Sequence, residues 1–150
     1  EMPQYVYGDD FTSQGFCFFA GKMKLAQKLF LHEYDDSRGV KIVSNKNKKY
    51  IYQFFHLHAM CAKLFVNGCL VKKIFWRPYE CDITDYIRMG ENEIVFELYA
   101  SNRNLLGPHH HMDGELYAVW PADFTSDPSP FKNDSRNVWS DAYHFVKFGL

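Results

Sequence analysis

The chain has 150 residues, 47% hydrophobic and 23% charged, which suits one domain with its own core and excludes a mainly disordered segment. A formal net charge of −1 argues against a nucleic-acid partner, and no apolar run approaches the ~18 residues of a membrane span. Aromatic residues reach 18%, with 14 Phe and 10 Tyr, a composition that fits a pleated, half-buried surface better than a helix.

The first expected element is a strand over 24–31, where Lys24, Ala26, Lys28 and Phe30 alternate loosely with Leu25, Gln27, Leu29 and Leu31. A shorter strand is expected over 40–43. Lys46, Lys48 and Lys49 then read as a solvated turn, and a further strand over 49–57 follows. The clearest signal is central: Asn67-Gly68 separates apolar runs over 60–66 and 69–75 and predicts a hairpin on a type I′ turn. A two-residue loop sets Val66 opposite Cys69, Leu64 opposite Val71 and Ala62 opposite Lys73. Ala62, Leu64, Val66, Cys69, Val71 and Phe75 then share the core face. Lys63 opposite Lys72, with Phe65 and Leu70, faces water or an acid on the next strand. Thr84 is placed to cap a helical turn that Gly90 closes in a left-handed conformation. A strand over 93–99 follows, with Ile94, Phe96 and Leu98 on one face and Glu93, Val95, Glu97 and Tyr99 on the other. Further strands are expected over 116–120 and 144–148, around a Pro/Ser/Asp/Asn-rich loop over 126–137. Many short strands and at most short helical turns predict an all-β sandwich or barrel, a single domain over 1–150.

The order Leu64-Phe65-Val66-Asn67-Gly68, Arg77-Pro78-Tyr79, Asp82-Ile83-Thr84-Asp85-Tyr86-Ile87, Gly90-Glu91-Asn92-Glu93-Ile94 resembles the sugar-binding β-sandwich domain of glycoside hydrolase family 2 and related galactose-binding-like domains. The flanks over 15–21 and 103–110 resemble, more weakly, domains appended to large bacterial proteins of the α-L-rhamnosidase and β-galactosidase type. The resemblance implies a jelly-roll-like β-sandwich of the galactose-binding type, and a non-catalytic carbohydrate-binding or accessory module. Its partners would be carbohydrate and a catalytic domain of the same parent chain. It leaves open a purely structural domain that packs against a catalytic barrel. The chain opens on Glu1 rather than Met and shows no signal peptide, which reads as a processed product or a piece of a longer protein, with 139–150 as its last strand.

Two stretches carry candidate chemistry. Trp76, Arg77 and Tyr79, in the stretch 75–80, combine aromatic faces, which stack on the apolar side of a sugar ring, with a planar donor that clamps hydroxyls; the alternative is that Trp76 and Tyr79 cover the sandwich end and Arg77 pairs with Glu80 or Asp82. Arg103, Asn104, His109, His110 and His111 form the second group. Their alternatives are sugar contact, a structural loop, or a metal site completed by Asp113, His32, His56, His58 or His144, the last giving a small metal-dependent enzyme. Asp82 and Asp85, three apart, are a paired-carboxylate candidate, although an acid at a helix start usually caps it. Trp120 and Trp139 read as core or inter-domain contacts. No cofactor motif stands out. Sandwiches of the resembled type often hold a structural calcium, and Asp9, Asp10, Asp35, Asp36, Asp134 and Asp141 fall in expected loops, without EF-hand spacing. Cys17, Cys61, Cys69 and Cys81 show no CxxC spacing and sit in apolar stretches, so they are expected as reduced, buried thiols in a cytoplasmic setting.

Overall fold

The computed structural model describes residues 3–32, 40–42, 49–107, 109–110 and 140–150, the middle segment 40–42 by its backbone. The strands expected over 116–120, the loop over 126–137, and Trp120, Trp139, His111, Asp113, Asp35, Asp36 and Asp134 lie outside these residues.

The fold is all-β. The strands are β1 (Lys22–Leu31), β2 (Val40–Ile42), β3 (Tyr50–Gln53), β4 (Cys61–Val66), β5 (Cys69–Ile74), β6 (Glu80–Asp82) and β7 (Gly90–Tyr99). They form two antiparallel sheets, ordered β1-β7-β4-β5 and β2-β3-β6. A 3-10 turn (Thr12–Gln14) and the one-turn helix α1 (Arg103–Leu106) are the helical pieces among the described residues. No helix among them is long and apolar enough to cross a membrane.

The hairpin forms where expected, with Asn67 at φ 50° and Gly68 at φ 82°, and Val66 pairs with Cys69. Its register departs from the expected one two residues further on. A bulge between Leu64 and Phe65 sets Leu64 opposite Lys72, Lys63 opposite Lys73 and Ala62 opposite Ile74. One extra residue reverses the face of everything beyond it. Ile74 therefore enters the core at 1% exposed, Val71 is half-buried and Phe75 is exposed. Lys72 lands on the core side of this edge strand. Its Nζ donates to the Glu80 carbonyl of β6 at 2.7 Å, so the charge sits at the seam between the sheets.

β7 is an inner strand, between β1 and β4, and obeys the predicted alternation, with Ile94, Phe96 and Leu98 all 3% exposed or less. Across the sandwich Tyr52 of β3 meets Phe96 at 5.8 Å between ring centroids, and Cys81 and Ile83 complete the facing layer. Burial pushes both the Tyr52 phenol and the Cys81 thiol above their ordinary values. Cys17 and Cys61 are half-buried and Cys69 is exposed, on the edge strand beside the turn, so the expectation of buried thiols holds for Cys81 alone. The strand expected over 49–57 stops at Gln53, and β6, three residues long, was not expected at all. The stretch 144–148 joins no ladder. Its neighbour Gly149 makes one bridge, to His58, and Phe148 packs beside Phe11 and Phe19.

On the outer face of the first sheet, Glu97 is held by Lys63 at 3.2 Å, Lys22 at 3.4 Å and the Tyr99 hydroxyl. Lys63 also donates to Tyr99 at 2.7 Å. The acid expected opposite the lysines is thus on β7. Hydrogen bonding from Tyr99, together with Lys63 and Lys22, outweighs desolvation and holds the Glu97 carboxyl at about 2, below its ordinary 4.5.

At the turn end, Asn92 is 1% exposed and uses all four hydrogen-bonding positions of its amide. Its Oδ1 accepts from Asn67 Nδ2 and from the Arg88 amide, each at 2.9 Å; its Nδ2 donates to the Arg88 and Gly90 carbonyls at 2.6 and 3.0 Å. Asn67 Oδ1 accepts from the Glu93 amide at 3.0 Å. The turn before β7 is capped by Asp82, whose carboxylate accepts from both the amide and hydroxyl of Thr84; Thr84 Oγ1 in turn accepts from the Tyr50 amide at 3.0 Å. The cap is therefore Asp82 rather than Thr84, and Gly90 closes the segment at φ 89° as expected.

Two outcomes follow from this packing. Asn92→Ala strands several buried polar groups and is expected to cost about 3 kcal/mol, read from urea unfolding; a loss under about 1 kcal/mol would show that water replaces the amide freely. Because the folded Glu97 is more acidic than the unfolded one, its contribution is full above pH 4.5 and fades as pH falls towards 2. Glu97→Gln should lower the urea midpoint at pH 7, and the gap to the parent should close over that acid range. A gap independent of pH would refute the assignment.

Candidate functional site

Strand order determines which loops meet. β4 begins where β5 and β7 end and β1 begins, and β3 ends where β6 begins. The β3–β4 loop (54–60), the β5–β6 loop (75–79) and the chain leaving β7 therefore all emerge at one end, opposite the Asn67-Gly68 turn. Two clefts open there.

The first, about 480 Å³, is lined by Gln53, Phe54, Phe55, Arg77, Tyr79 and Glu80, together with Pro78. It is floored by a stack that runs outward from the core. Phe54 meets Phe96 edge-on at 5.3 Å, Tyr79 lies parallel to Phe54 at 5.1 Å, and the Arg77 guanidinium lies over Tyr79 at 5.6 Å. The Phe54 amide donates to the Tyr79 carbonyl at 3.2 Å, which fixes the two loops to each other. Gln53 Nε2 donates to Glu80 Oε1 at 3.1 Å, leaving further amide and carboxylate atoms for a ligand. Phe55 and Trp76 are each 76% exposed, and Phe75, 5.7 Å from Trp76, is 54% exposed. Exposed aromatics beside a planar cation and hydrogen-bonding groups can stack on, and clamp, a ring that is apolar on its face and polar at its edge.

The second cleft, about 510 Å³, is lined by Phe19, Leu57, His58, Asn104, Val146 and Phe148 among others. Asn104, 3% exposed, acts as a clip for the C-terminal stretch: Oδ1 accepts from the Val146 amide at 2.9 Å and Nδ2 donates to the Val146 carbonyl at 2.7 Å. One ring nitrogen of His109 pairs with the Asn104 carbonyl at 2.8 Å, and one of His110 with the Ser140 carbonyl at 3.0 Å. The His109 ring packs against Phe18, Tyr143 and Phe145.

The sequence-predicted residues thus divide. Arg77 and Tyr79 line the first cleft and Trp76, beside Arg77 in the chain, does not, while Arg103, Asn104, His109 and His110 gather around the chain crossing beside the second. Asp82 is committed to its turn, at the opposite end of the sandwich. Of the loop aspartates, Asp10 accepts from the Thr12 amide at 3.0 Å, and Asp9 lies against His58 and Lys147, each at 3.4 Å. Desolvation pushes the Asp9 carboxyl up, but Lys147 and His58 outweigh it and the group sits below its ordinary value. Sequence reasoning missed Gln53, Phe54 and Phe55. A Phe-Phe pair ending a short strand was the available signal, and it was absorbed into an over-long strand.

No protein-family model matches the chain, and no curated protein matches it. Among solved structures, the rhamnosidase from Novosphingobium sp. PP1Y is similar over 58% of this chain at 17% identity, with a TM-score of 0.46. The matched part spans 7% of that protein's chain.

If Asn104 is a clip, Asn104→Ala should speed hydrogen exchange of the Val146 amide about tenfold or more, with the β4–β5 hairpin amides unchanged. An unaltered Val146 rate would remove that role.

Proposed function

We propose that this sandwich is a carbohydrate-binding accessory module of a glycoside hydrolase-like protein, and that it takes a sugar ring in the cleft between Phe55 and Arg77. The observation that carries the reading is the exposed Phe55 in one cleft with a guanidinium already oriented by Tyr79, with the exposed Phe75 and Trp76 immediately before Arg77 in the chain. A sugar ring presents C–H groups on one face and hydroxyls around its edge. Aromatic side chains bury the face, and Arg77, Gln53 and Glu80 supply donors and acceptors for the edge. The Phe96–Phe54–Tyr79–Arg77 stack makes the floor rigid before binding, which reduces the ordering cost. The galactose-binding and jelly-roll affinities implied by the sequence motifs belong to this proposal.

The same exposed aromatics support a second reading, in which they are covered by a catalytic domain of the parent chain and serve as a bracing surface. The two readings separate in one titration. Galactosides, rhamnosides and glucuronides added to the chain, followed by NMR and calorimetry, should give saturable binding with shifts at Gln53, Arg77 and the Trp76 indole. Trp76→Ala should weaken it about tenfold, roughly 1.4 kcal/mol, without lowering the melting temperature. Silence from every sugar would favour bracing, and equal binding by the Trp76 variant would remove the aromatic platform from the mechanism.

A further inference from the structure

Three chain segments meet beside the second cleft: the N-terminal stretch at Asp9, the β3–β4 loop at His56 and His58, and the C-terminal stretch at Lys147 and Gly149. His58 and Gly149 exchange backbone hydrogen bonds of 3.0 and 3.1 Å. A Cβ on Gly149 would collide with the Asp9 carbonyl, so these backbones are in close contact. His56 and His58, two residues apart on extended chain, project to one side with rings 7° from parallel and centroids 5.7 Å apart. The Asp9 carboxylate faces them, and one ligand atom from each of the three residues lies within 4.8 Å of the other two. His58 Nε2 is closed off from solvent without a hydrogen bond, and its ion-pair partner Asp9 Oδ2 is 3.4 Å away.

We propose that Asp9, His56 and His58 bind a divalent ion of the zinc class, with a fourth position left open. Tetrahedral coordination at about 2.0–2.1 Å from each ligand spaces neighbouring ligand atoms about 3.3 Å apart. The His58–Asp9 pair is already at that spacing, and rotation of the exposed His56 side chain completes the set. Two imidazoles and one carboxylate select a borderline ion over calcium or magnesium, which favour oxygen-rich shells. Lys147 is the resident competitor. Its Nζ lies 3.4 Å from the same Asp9 oxygen, and its side chain is 53% exposed, free to turn into water as the ion enters. The bound ion ties the N-terminal stretch to the loop that Gly149 bridges, at the end of the sandwich that carries both clefts.

Zinc titration of the intact chain tests this, followed by calorimetry and by NMR of the imidazole resonances. Uptake of one equivalent is expected, with the rings of His56 and His58 shifting. His56→Gln, His58→Gln and Asp9→Asn should each weaken uptake about tenfold or more. Lys147→Gln should tighten it a few-fold by removing the competing charge, a response that a purely structural contact would not give. His56 is exposed, so its variant keeps the test valid if the others fail to fold. Cobalt(II) in place of zinc should show visible d–d bands without the near-ultraviolet thiolate band. The proposal is overturned by no zinc uptake, by affinity unchanged in His56→Gln or in a folded Asp9→Asn, or by signals confined to the cysteines or to His109, His110 and His111.

Discussion

Asn67 and Asn92 carry the constraint from which the rest of the sandwich is set. A buried primary amide is tolerated only when its donors and acceptors are used, because an unpaired polar group in the interior costs as much as a good hydrogen bond contributes. Asn92 meets that condition by joining the turn after β4 to the loop before β7. Asn67 adds a second requirement, since it must occupy φ 50° while its own amide reaches Asn92 and the Tyr86 carbonyl. Once these groups are paired, β4 and β7 cannot slide. A one-residue slip would break the amide contacts and move Ile94, Phe96 and Leu98 out of the core together.

That constraint explains what could be read from the residues alone. The hairpin and β7 were legible because their signals are local: Asn-Gly fixes a turn by backbone torsion, and strict alternation over 94–98 fixes a face. The bulge at Leu64/Phe65 was not legible. It adds one residue to β5 so that Ile74, rather than Phe75, reaches the core, and nothing in the hairpin's own alternation signals it. β6 escaped for a similar reason. Three residues carry no period, and Glu80–Asp82 become a strand through pairing with β3, 27 to 31 positions earlier in the chain. The stretch 144–148 has strand-like composition, yet His144, Val146 and Phe148 pair their backbone with His109, Asn104 and Phe11 rather than with a strand, so composition alone misassigned it.

The candidate site was legible in part on the same grounds. Trp76, Arg77 and Tyr79 stand together in sequence and share one chemistry, so composition found them. Their partner Phe54 lies 25 residues from Tyr79, and only the meeting of two crossover loops shows that the guanidinium rests on an aromatic column reaching the core. The histidines near 109 had the opposite fate. Three in a row draw the eye, but His109 and His110 each spend a ring nitrogen on a backbone carbonyl, which is what a chain crossing without a sheet ladder requires. The histidines that share a carboxylate, His56 and His58, drew less notice because Asp9 stands far away in sequence.

The two ends of the sandwich therefore differ in how their polar groups are used. At the turn end, amide, carboxylate and hydroxyl groups are consumed in fixing the chain, as Asn92, Asn67, Asp82 and Thr84 show. Around the first cleft at the loop end, large aromatic surfaces stay exposed and Tyr79 and Arg77 are carried on the Phe54 ring, whereas Asn104 beside the second cleft is spent on the chain as the turn-end amides are. Tyr79 and Arg77 are tied to the core through Phe54 and Phe96, while the exposed Phe75 and Trp76 pack on each other. A surface built this way can engage a partner with little reorganisation. It also gives one side chain two duties: replacing Phe54 would disturb Tyr79 and Arg77 together, because the floor of the cleft and the wall of the core are the same ring.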